Sequence, residues 1–410
     1  MDRKKNILII IPKLSEGGAE RVTSNLSRIL EKHYKIFFLI FNSNKIDYPV
    51  SGELIDIDSM PSDSPFIKLV NIFLRAEKIK KIKKEKNIDI TISAMESANI
   101  ASIMSKQKDK TLITIHNFMS IELKNLGFYG YFQKLFIKYL YNRADAIVPV
   151  SKSIGKNLID NFNINSSRVH AVYNCFNISK IRDDAQEKLD KYSCIYNDGK
   201  VIINTGRFTK QKAQWHLIRS FKEVKKTLDN AKLVFLGDGE LRNSLLSLAK
   251  ELELKVYSVW DNEEIDGDKD VYFLGFQANP YKFISRSDLF ALSSLWEGLP
   301  SVIIEALACG TPVISTDCRS GPREILSPET DFNLQTYKPE YAQYGILMPV
   351  FDGKQYIAED VLTPEESLWA EILVKTLSNN NLTEKYKELS GSMADKFDEE
   401  NILREWKKLF

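Results

Sequence analysis

Two glutamates in one short segment have the residue type and spacing of a ligand-binding pair. Glu297 and Glu305 lie in residues 289–315, LFALSSLWEGLPSVIIEALACGTPVIS, where an apolar strand-like run leads through a loop into a helix-like run. Pro300 suits the first turn of that helix and Gly310 its end. Glu305 then falls about one turn inside the helix among aliphatic neighbours, where a carboxylate is seldom left unpaired. A solvated pair of glutamates is the alternative, but the pattern favours function.

The loop before this helix adds backbone donors to the pair. Glu297 can reach a ligand above the helix start. The amides near Leu299, Pro300 and Ser301 face the same point, although proline has no N–H to donate.

A second loop offers two cations. Residues 204–221, NTGRFTKQKAQWHLIRSF, end a predicted strand at Gly206 and place Arg207 and Lys212 five positions apart, just before an amphipathic helix. A forked donor and a point charge at the carboxyl end of a strand suit a diphosphate. Two solvated surface charges are the alternative.

Glycines follow two further predicted strands. Residues 235–245, FLGDGELRNSL, place Gly237 between a strand and a helix, as nucleotide-binding loops do. Near the start of the chain, LSEGGAERV places Gly17 and Gly18 before a helix whose free N–H groups could meet an anion. Neither segment is a GxGxxG, and for the glycine pair an ordinary strand-to-helix turn is the alternative.

Short apolar runs that alternate with longer amphipathic stretches must position these loops. Runs that are apolar throughout predict strands buried on both faces, and their alternation with helices predicts parallel α/β sheets. The predicted strands are residues 6–11, 35–41, 88–92, 111–115, 146–150, 169–173, 201–204, 232–236, 271–274, 289–292, 312–315 and 346–348.

The length of 410 residues suits two domains, and the 43% apolar content is that of a globular protein. The charged stretch 180–200 interrupts the alternation and marks the boundary. We therefore predict two Rossmann-like, doubly wound α/β domains, residues 1–185 and 186–390, facing each other across a cleft. Residues 391–410 are predicted to form a helix that packs back on the first domain.

Composition excludes several classes of protein. A net charge of +2 argues against a globally basic nucleic-acid binder. The four cysteines and four histidines show no CxxC, HxxxH or HExxH spacing, so we predict no metal site and a reducing compartment. The triplets Asp56–Asp58 and Asp266–Asp268 are placed in a polar connection and a solvated turn, and neither is assigned a metal. No apolar stretch approaches the roughly 18 residues of a membrane span, and the short apolar run near the N-terminus does not have the pattern of a signal peptide.

Several motifs in a fixed order resemble those of the retaining glycosyltransferases of family 4, which have the GT-B fold. They are GGAER (17–21), GRFTKQK (206–212), LGDGELR (236–242), FLGF (273–276), the E-x7-E pair, GTPVIS (310–315) and SGPREIL (320–326). The likeness covers nearly the whole chain and is greatest to bacterial enzymes that extend lipid-linked oligosaccharides, O-antigen and capsule repeats.

The resemblance implies roles for the second half of the chain. Arg207 and Lys212 match the pair that binds the donor diphosphate and stabilises its departing charge. Glu297 matches the acid that contacts the transferred sugar, and Glu305 the one that holds the nucleotide ribose. The full set implied to bind the donor there is Gly206, Arg207, Lys212, Gly237, Gly275, Phe276, Glu297, Gly298, Leu299, Pro300, Ser301 and Glu305, with the nucleobase at Gly275 and Phe276.

In the first half, Gly17 and Gly18 match the loop that closes on the phosphates, and His116 matches an active-site histidine near the donor sugar. From the residues alone, His116 is more simply a packed structural histidine. One departure is Ala213, where relatives usually have glycine. We expect the next helix to start early enough to spare Ala213 a strained positive φ.

The resemblance implies metal-independent transfer of a hexose or N-acetylhexosamine from a nucleotide sugar, UDP-linked, to a polyprenyl-diphosphate-linked or other glycan acceptor, without a cofactor. Two alternatives keep the sugar nucleotide but change the function. One is a GT-B epimerase or hydrolase, and the other is a non-catalytic sugar-nucleotide-binding subunit.

A basic segment is the candidate contact with acceptor or membrane. Residues 67–86, IKLVNIFLRAEKIKKIKKEK, contain eight cations and two glutamates with apolar residues at helical spacing. Lys80, Lys81, Lys83 and Lys84 are the expected contacts with anionic lipid or an acceptor pyrophosphate. A solvated helix face is the alternative.

A second candidate is the stretch 118–143, which mixes aromatic residues with cations; aromatic residues at helical spacing are usually core. From these features we expect a cytoplasmic enzyme associated peripherally with the inner face of the cytoplasmic membrane.

Overall fold

A computed structural model describes residues 3–15, 17–60, 62, 64–124, 134, 137–261 and 263–410. The chain forms two compact units. The first comprises Met1–Phe176 and Phe397–Phe410, and the second comprises Asn177–Lys396. Each is an α/β unit built on a mainly parallel sheet.

The elements of the first unit follow the predicted alternation. In chain order they are β1 (Asn6–Ile11), α1 (Gly18–Glu31), β2 (Lys35–Ile40), β3 (Glu53–Asp56), α2 (Pro65–Glu85), β4 (Ile90–Ala94), α3 (Glu96–Met104), β5 (Lys110–Ile115), α4 (Met119–Lys124), β6 (Ala146–Pro149), α5 (Lys152–Phe162) and a 3-10 turn (Ser166–Arg168).

The second unit adds a longer series before the chain returns to the first. Its elements are α6 (Ile178–Asp184), a 3-10 segment (Asp190–Tyr196), β7 (Val201–Thr205), α7 (Gln214–Thr227), β8 (Lys232–Leu236), α8 (Arg242–Glu251), β9 (Val256–Ser258), β10 (Val271–Phe273), α9 (Tyr281–Ile284), β11 (Leu289–Leu292), α10 (Ser301–Ala308), β12 (Val313–Thr316), α11 (Pro322–Leu326), β13 (Glu340–Tyr341), β14 (Ile346–Met348), α12 (Pro364–Leu377) and α13 (Asn380–Ala394). A 3-10 turn (Asp395–Phe397) and α14 (Glu399–Lys407) complete the chain.

The first sheet has the order β3-β2-β1-β4-β5-β6, and all its strands are parallel. The side chains of β1 are buried on both faces of the sheet. Ile7, Ile9 and Ile11 belong to one apolar cluster with residues of α1 and α14. Leu8 and Ile10 belong to another with residues of α2 and α3. Helices on both faces explain why the strand is apolar at every position after Asn6.

The second sheet has the order β13-β14-β12-β11-β7-β8-β10-β9, with only β13 antiparallel among its described strands. The chain adds β8 on one side of β7 and later returns to add β11 on the other. The strand order therefore reverses beside β7, and the carboxyl ends of β7 and β11 form the switch point where ligands bind in such sheets.

The unit boundary differs from the predicted one. It falls after Phe176, not after residue 185, because α6 packs on the second unit: Asn279 Nδ2 donates to Asp184 O at 2.7 Å, and Ser285 Oγ to Ala185 O at 3.1 Å. The return to the first unit falls at Phe397, later than residue 391, because α13 belongs to the second unit. The charged stretch 180–200, which was predicted to mark the boundary, contains most of α6 and a 3-10 segment.

The strand predictions fail mainly at sheet edges. Residues 169–173 form only a single bridge, between Ile147 and Val169, so that predicted strand is wrong. The edge strands β3, β9 and β13 were not predicted, because they are short and β3 is largely exposed. Asp56 of the first DxD triplet ends β3, so it does not lie in a connecting region.

Candidate active site

The loops that follow β7, β8 and β10 lie side by side and are joined by their glycines. Gly206 N donates to Leu236 O at 2.9 Å, and Gly237 N donates to Gly275 O at 2.8 Å. Gly237 has a φ of +144°, and a Cβ atom on it would lie 2.0 Å from Gly206 O. Only glycine fits that position, so three predicted glycines form one continuous backbone surface at the carboxyl ends of the strands.

The switch point brings Lys212 and Glu297 into direct contact. Lys212 Nζ lies 2.5 Å from Glu297 Oε1, and both side chains are largely buried. The loops that hold them are tied together as well, since Leu295 N donates to Gln211 O at 2.8 Å and Ser293 Oγ to Lys212 O at 2.7 Å. The residues assigned to diphosphate and sugar thus form one charged pair.

Two neighbours of this pair were missed by the sequence analysis. Ser294 Oγ donates to Glu297 Oε1 at 2.7 Å, and Gln211 Nε2 lies 3.4 Å from Glu297 Oε2. Gln211 also donates to Trp296 O at 2.7 Å. The available signal was position alone, because Ser294 closely follows β11 and Gln211 precedes Lys212.

Arg207 differs from Lys212 in its surroundings. Its side chain is exposed and forms no ion pair with another described residue, while its carbonyl accepts a hydrogen bond from Gln214 Nε2 at 3.0 Å. The structure therefore places an exposed guanidinium next to Gly206 and a largely buried ammonium at Glu297.

The segment from Glu297 to Ser301 is supported by the SGPREIL loop. Glu297 N donates to Arg319 O and Ser320 N to Glu297 O, both at 2.8 Å, and Ser320 Oγ donates to Gly298 O at 2.5 Å. Gly321 has a φ of +103°, and a Cβ atom there would lie 2.5 Å from Pro300 Cδ. The helix α10 begins at Ser301 with Pro300 as its N-cap and Leu299 buried before it.

Glu305 occupies a different environment from Glu297. It is 3% exposed on α10, and Tyr281 Oη donates to its Oε1 at 3.5 Å. Tyr281 begins α9, shortly after Gly275 and Phe276. Gly275 has a φ of +68°, and the Phe276 ring is 82% exposed. Glu305 is thus placed near the predicted nucleobase loop.

In the first unit, Gly17 precedes α1 and Gly18 is its first residue, but the carboxylate of Glu20 lies at the same helix start. Gly17 is the N-cap of α1 with an extended φ of −175°. A Cβ atom on Gly17 would lie 2.1 Å from Glu20 Oε2, whereas Gly18 has open space. An anion at this helix start would therefore meet the buried Glu20 carboxylate unless that side chain moves.

His116 lies just beyond β5, in the same unit as Gly17 and Gly18. Thr114 Oγ1 is 2.9 Å from its Nε2. Burial lowers the pKa of His116 to about 4, so its imidazole is neutral at pH 7. All predicted donor residues from Gly206 onward belong to the second unit, whereas Gly17, Gly18 and His116 belong to the first.

Ala213 has the strained backbone that the sequence analysis expected it to avoid. It is the N-cap of α7, with φ +49° and ψ +38°, and it is fully buried. The helix starts at Gln214, too late to give Ala213 a helical φ. The expectation was wrong because the turn after Lys212 needs a left-handed residue before α7 can begin.

Lys83 does not face outward as Lys80, Lys81 and Lys84 of α2 do. It is 4% exposed, its Nζ lies 2.9 Å from Asp109 Oδ2, and it donates to Ser102 O at 3.3 Å. Arg75 is also buried, with its Nε donating to Ser59 Oγ at 2.9 Å. The prediction of Lys83 as a contact for lipid or acceptor is therefore wrong, whereas Lys80, Lys81 and Lys84 are exposed.

Much of the aromatic stretch 118–143 lies outside the described residues, namely 125–133, 135 and 136. Of its described members, Tyr141 is buried and Tyr139 is exposed. In the part of the chain that the structure describes, no three His, Cys, Asp or Glu side chains gather as metal ligands. Within the same ranges, no helix has the length and apolar character needed to cross a bilayer.

Comparison with known proteins assigns both halves of the chain. The model of "Glycosyltransferase Family 4" matches residues 16–180, and that of "Glycosyl transferases group 1" matches residues 185–340. An uncharacterized glycosyltransferase of Methanocaldococcus jannaschii is 35% identical over 396 residues, which are 93% of this chain and 94% of that protein. The N-acetylgalactosamine-N,N'-diacetylbacillosaminyl-diphospho-undecaprenol 4-alpha-N-acetylgalactosaminyltransferase of Campylobacter jejuni is 30% identical over 403 residues, 97% of each chain.

Solved structures show the same fold at low identity. A glycosyltransferase from Rickettsia africae superposes with a TM-score of 0.72 at 18% identity, covering 100% of this chain and 98% of that one. Anabaena HepE in complex with UDP and glucose superposes with a TM-score of 0.71 at 16% identity, covering 98% of each chain. The predicted fold class is confirmed, and the chain belongs to glycosyltransferase family 4, as an enzyme with the GT-B fold.

Proposed function

We propose that this glycosyltransferase transfers a hexose or N-acetylhexosamine, with retention of configuration and without a metal ion, from a UDP-sugar to a polyprenyl-diphosphate-linked glycan. The observation that carries the proposal is the contact between Lys212 Nζ and Glu297 Oε1 at the switch point of the second sheet. A cation and a carboxylate meet there at the edge where ligands bind in such sheets, which supports a role for the first with the phosphate and for the second with the sugar.

The two cations of this site suit a departing diphosphate. Lys212 is fixed by Glu297, so its charge needs little rearrangement when negative charge develops. Arg207 is exposed beside Gly206 and is available to reach a phosphate oxygen as a forked donor. Two cations and nearby backbone N–H groups can stabilise the leaving group, which supports the proposal that no metal is required.

Retention is proposed to follow from substitution on one face of the sugar. The acceptor oxygen bonds to the anomeric carbon as the bond to the diphosphate breaks, and the departing phosphate oxygen takes the acceptor's proton. Glu297 is a poor nucleophile in this arrangement, because Lys212 and Ser294 both bond its Oε1. A covalent glycosyl-enzyme found by mass spectrometry would contradict this step.

The names of two similar proteins support the proposed classes of donor and acceptor. The Anabaena protein is described in complex with UDP and glucose, and the Campylobacter relative by its transfer of N-acetylgalactosamine to a diphospho-undecaprenol glycan. We infer chemistry of the same kind here, in the synthesis of a surface polysaccharide or a protein-linked glycan.

The exposed face of α2 supports peripheral contact with the cytoplasmic face of a membrane. Ile67, Val70, Phe73 and Leu74 expose large apolar side chains in the first half of the helix. Lys80, Lys81 and Lys84 are exposed in the second half. Steps of three and four residues place Val70, Leu74, Lys81 and Lys84 on one face. Apolar insertion combined with cations suits anionic lipid, at about 1 kcal/mol per cation near the surface.

A vesicle experiment tests the membrane proposal. Replacing Lys80, Lys81 and Lys84 by Gln should reduce sedimentation with phosphatidylglycerol vesicles. Replacing Lys375, Lys385 and Lys387, three exposed lysines of α12 and α13, should not. Salt should release the parent, because the screening length falls from ~10 Å at 0.1 M to ~3 Å at 1 M. Equal sedimentation of both triple variants would contradict the role of α2.

A panel of nucleotide sugars against a polyprenyl-diphosphate-linked sugar tests the reaction. We expect one UDP-sugar to give a product one sugar heavier, with the donor's anomeric configuration by NMR and with activity retained in EDTA. Turnover of UDP-sugar without acceptor would favour an epimerase or hydrolase. Tight binding of UDP-sugar with no transfer would favour a non-catalytic binding subunit.

A further inference from the structure

The residues around His116 form a chain of hydrogen bonds with a defined direction. Thr114 is buried at the carboxyl end of β5, and its Oγ1 donates to Ser93 O on β4 at 2.9 Å. The same Oγ1 lies 2.9 Å from His116 Nε2. Asn99 Nδ2 donates to Thr114 O at 2.9 Å and helps to fix this residue.

Counting hydrogens decides which ring nitrogen is protonated. A hydroxyl has one hydrogen, and a carbonyl oxygen can only accept, so the hydrogen of Thr114 Oγ1 is committed to Ser93. The contact with the ring then requires His116 Nε2 to donate. Because burial keeps the imidazole neutral at pH 7, its single N–H is at Nε2. Nδ1 therefore has a free lone pair and accepts hydrogen bonds.

A small cavity beside His116 adds a second acceptor. The cavity measures about 20 Å³ and has a mostly apolar lining, in which Thr114, His116, Asn174 and Thr23 of α1 are polar members. That volume accommodates one hydroxyl-sized group. Asn174 is buried, and its Oδ1 has no hydrogen-bond partner among the described residues. A hydroxyl group has one hydrogen and can donate it to either acceptor, whereas an anion has none to donate.

We propose that Thr114 is a positioning residue that holds His116 in its Nε2–H tautomer, so that Nδ1 accepts a hydrogen bond from a hydroxyl of the glycosyl substrate. The substrate half of this proposal rests on the proposed function. In this tautomer His116 has no free N–H to donate to a phosphate oxygen at neutral pH. Other groups must therefore bind the phosphate, and His116 accepts a hydrogen bond from a hydroxyl.

The tautomer can be measured directly in the free enzyme. The chain has only four histidines, so long-range ¹H–¹⁵N correlation spectra of ¹⁵N-histidine protein at pH 7 are tractable, with His116→Gln identifying the His116 signals. We expect the unprotonated, pyridine-like nitrogen of His116 to be Nδ1. A protonated Nδ1, as the other tautomer or as imidazolium, would overturn the proposal.

Substitutions at Thr114 separate positioning from simple packing. Thr114→Val keeps the shape but removes the hydroxyl, and it should lose the single Nε2–H tautomer and lower kcat about tenfold with little change in the Kd for UDP. Thr114→Ser should keep the tautomer and most of the activity. A Val variant that retains the parent's tautomer would overturn the role of Thr114. The parent's own spectrum decides the tautomer even if the Val variant folds poorly.

A substrate analogue tests the acceptor role of Nδ1. A donor or acceptor that lacks the contacted hydroxyl should lose about tenfold in kcat/KM with the parent and much less with His116→Gln. Equal losses in both enzymes for every deoxy analogue would overturn the substrate contact. An Nε2–H tautomer in an enzyme without transferase activity would count against the proposed function and not against the role of Thr114.

Discussion

The loops that follow β7, β8 and β10 in the second unit and the helix α2 of the first differ in how well the sequence predicts what each residue contacts. In the second unit, Gly206, Gly237 and Gly275 all follow strands and meet through backbone hydrogen bonds. On α2, two consecutive lysines have different environments: Lys83 is buried beside Asp109, whereas Lys84 is exposed. Spacing along a loop identifies a backbone site, but it does not identify the partner of a charge on a helix.

The difference follows from where the partners come from. The carboxyl ends of neighbouring parallel strands meet at one edge by topology alone, so residues just after them are brought together. A helical side chain instead meets whatever packs against its face. Lys83 meets Asp109, which lies before β5 and 26 residues along the chain.

The largest expected effect concerns this buried pair. Lys83→Met leaves the Asp109 carboxylate buried without its cation, although Thr91 and Thr111 hydroxyls still donate to it. We expect a loss of about 3–5 kcal/mol in the free energy of unfolding, measured in urea. Lys84→Met, on the exposed face, should stay within about 0.5 kcal/mol of the parent. Similar losses in both variants would remove the distinction between the two lysines.

The same contrast explains what could be predicted. The parallel α/β fold followed from apolar runs between amphipathic stretches, because helices cover both faces of β1. The glycines and Glu297 were found because they follow strands. The edge strand β3 was missed because exposed edges lack that apolar pattern. Ser294 and Gln211 were missed because their importance lies only in what they touch.

The next prediction tests whether the switch point performs the chemistry. Lys212→Ala should lower kcat roughly 100- to 1,000-fold, because its charge matters most as the diphosphate departs. The donor KM should change less. Lys210→Ala, an exposed neighbour on the same loop, is the control and should have little effect. A raised donor KM with unchanged kcat would show that Lys212 only binds substrate.

A smaller effect should separate the two glutamates. Glu305→Gln should weaken binding of UDP and of UDP-sugar alike, by roughly tenfold, if Glu305 holds the ribose. Glu297→Gln should weaken binding of UDP-sugar more than that of UDP, because its proposed partner is the sugar. Titration calorimetry with both ligands measures each constant. Unchanged UDP affinity in Glu305→Gln would exclude the ribose role.

The smallest expected change is for Ala213→Gly, at a position in the loop after β7 where a non-glycine residue has a positive φ. Its φ of +49° costs a non-glycine residue about 1–2 kcal/mol. Ala213→Gly relieves that strain but loses a buried methyl, worth about 0.8 kcal/mol, and makes the unfolded chain more flexible by about 0.4–1 kcal/mol. Because these contributions nearly cancel, the urea midpoint should stay close to that of the parent. If the φ of Ala213 were negative, no strain would be relieved. The lost methyl and the more flexible unfolded chain would then destabilise the protein by about 1–2 kcal/mol. Ala213→Val should destabilise it strongly, since a β-branched residue tolerates positive φ poorly. A near-neutral Gly variant together with a destabilised Val variant would establish the left-handed turn that places Lys212 beside Glu297.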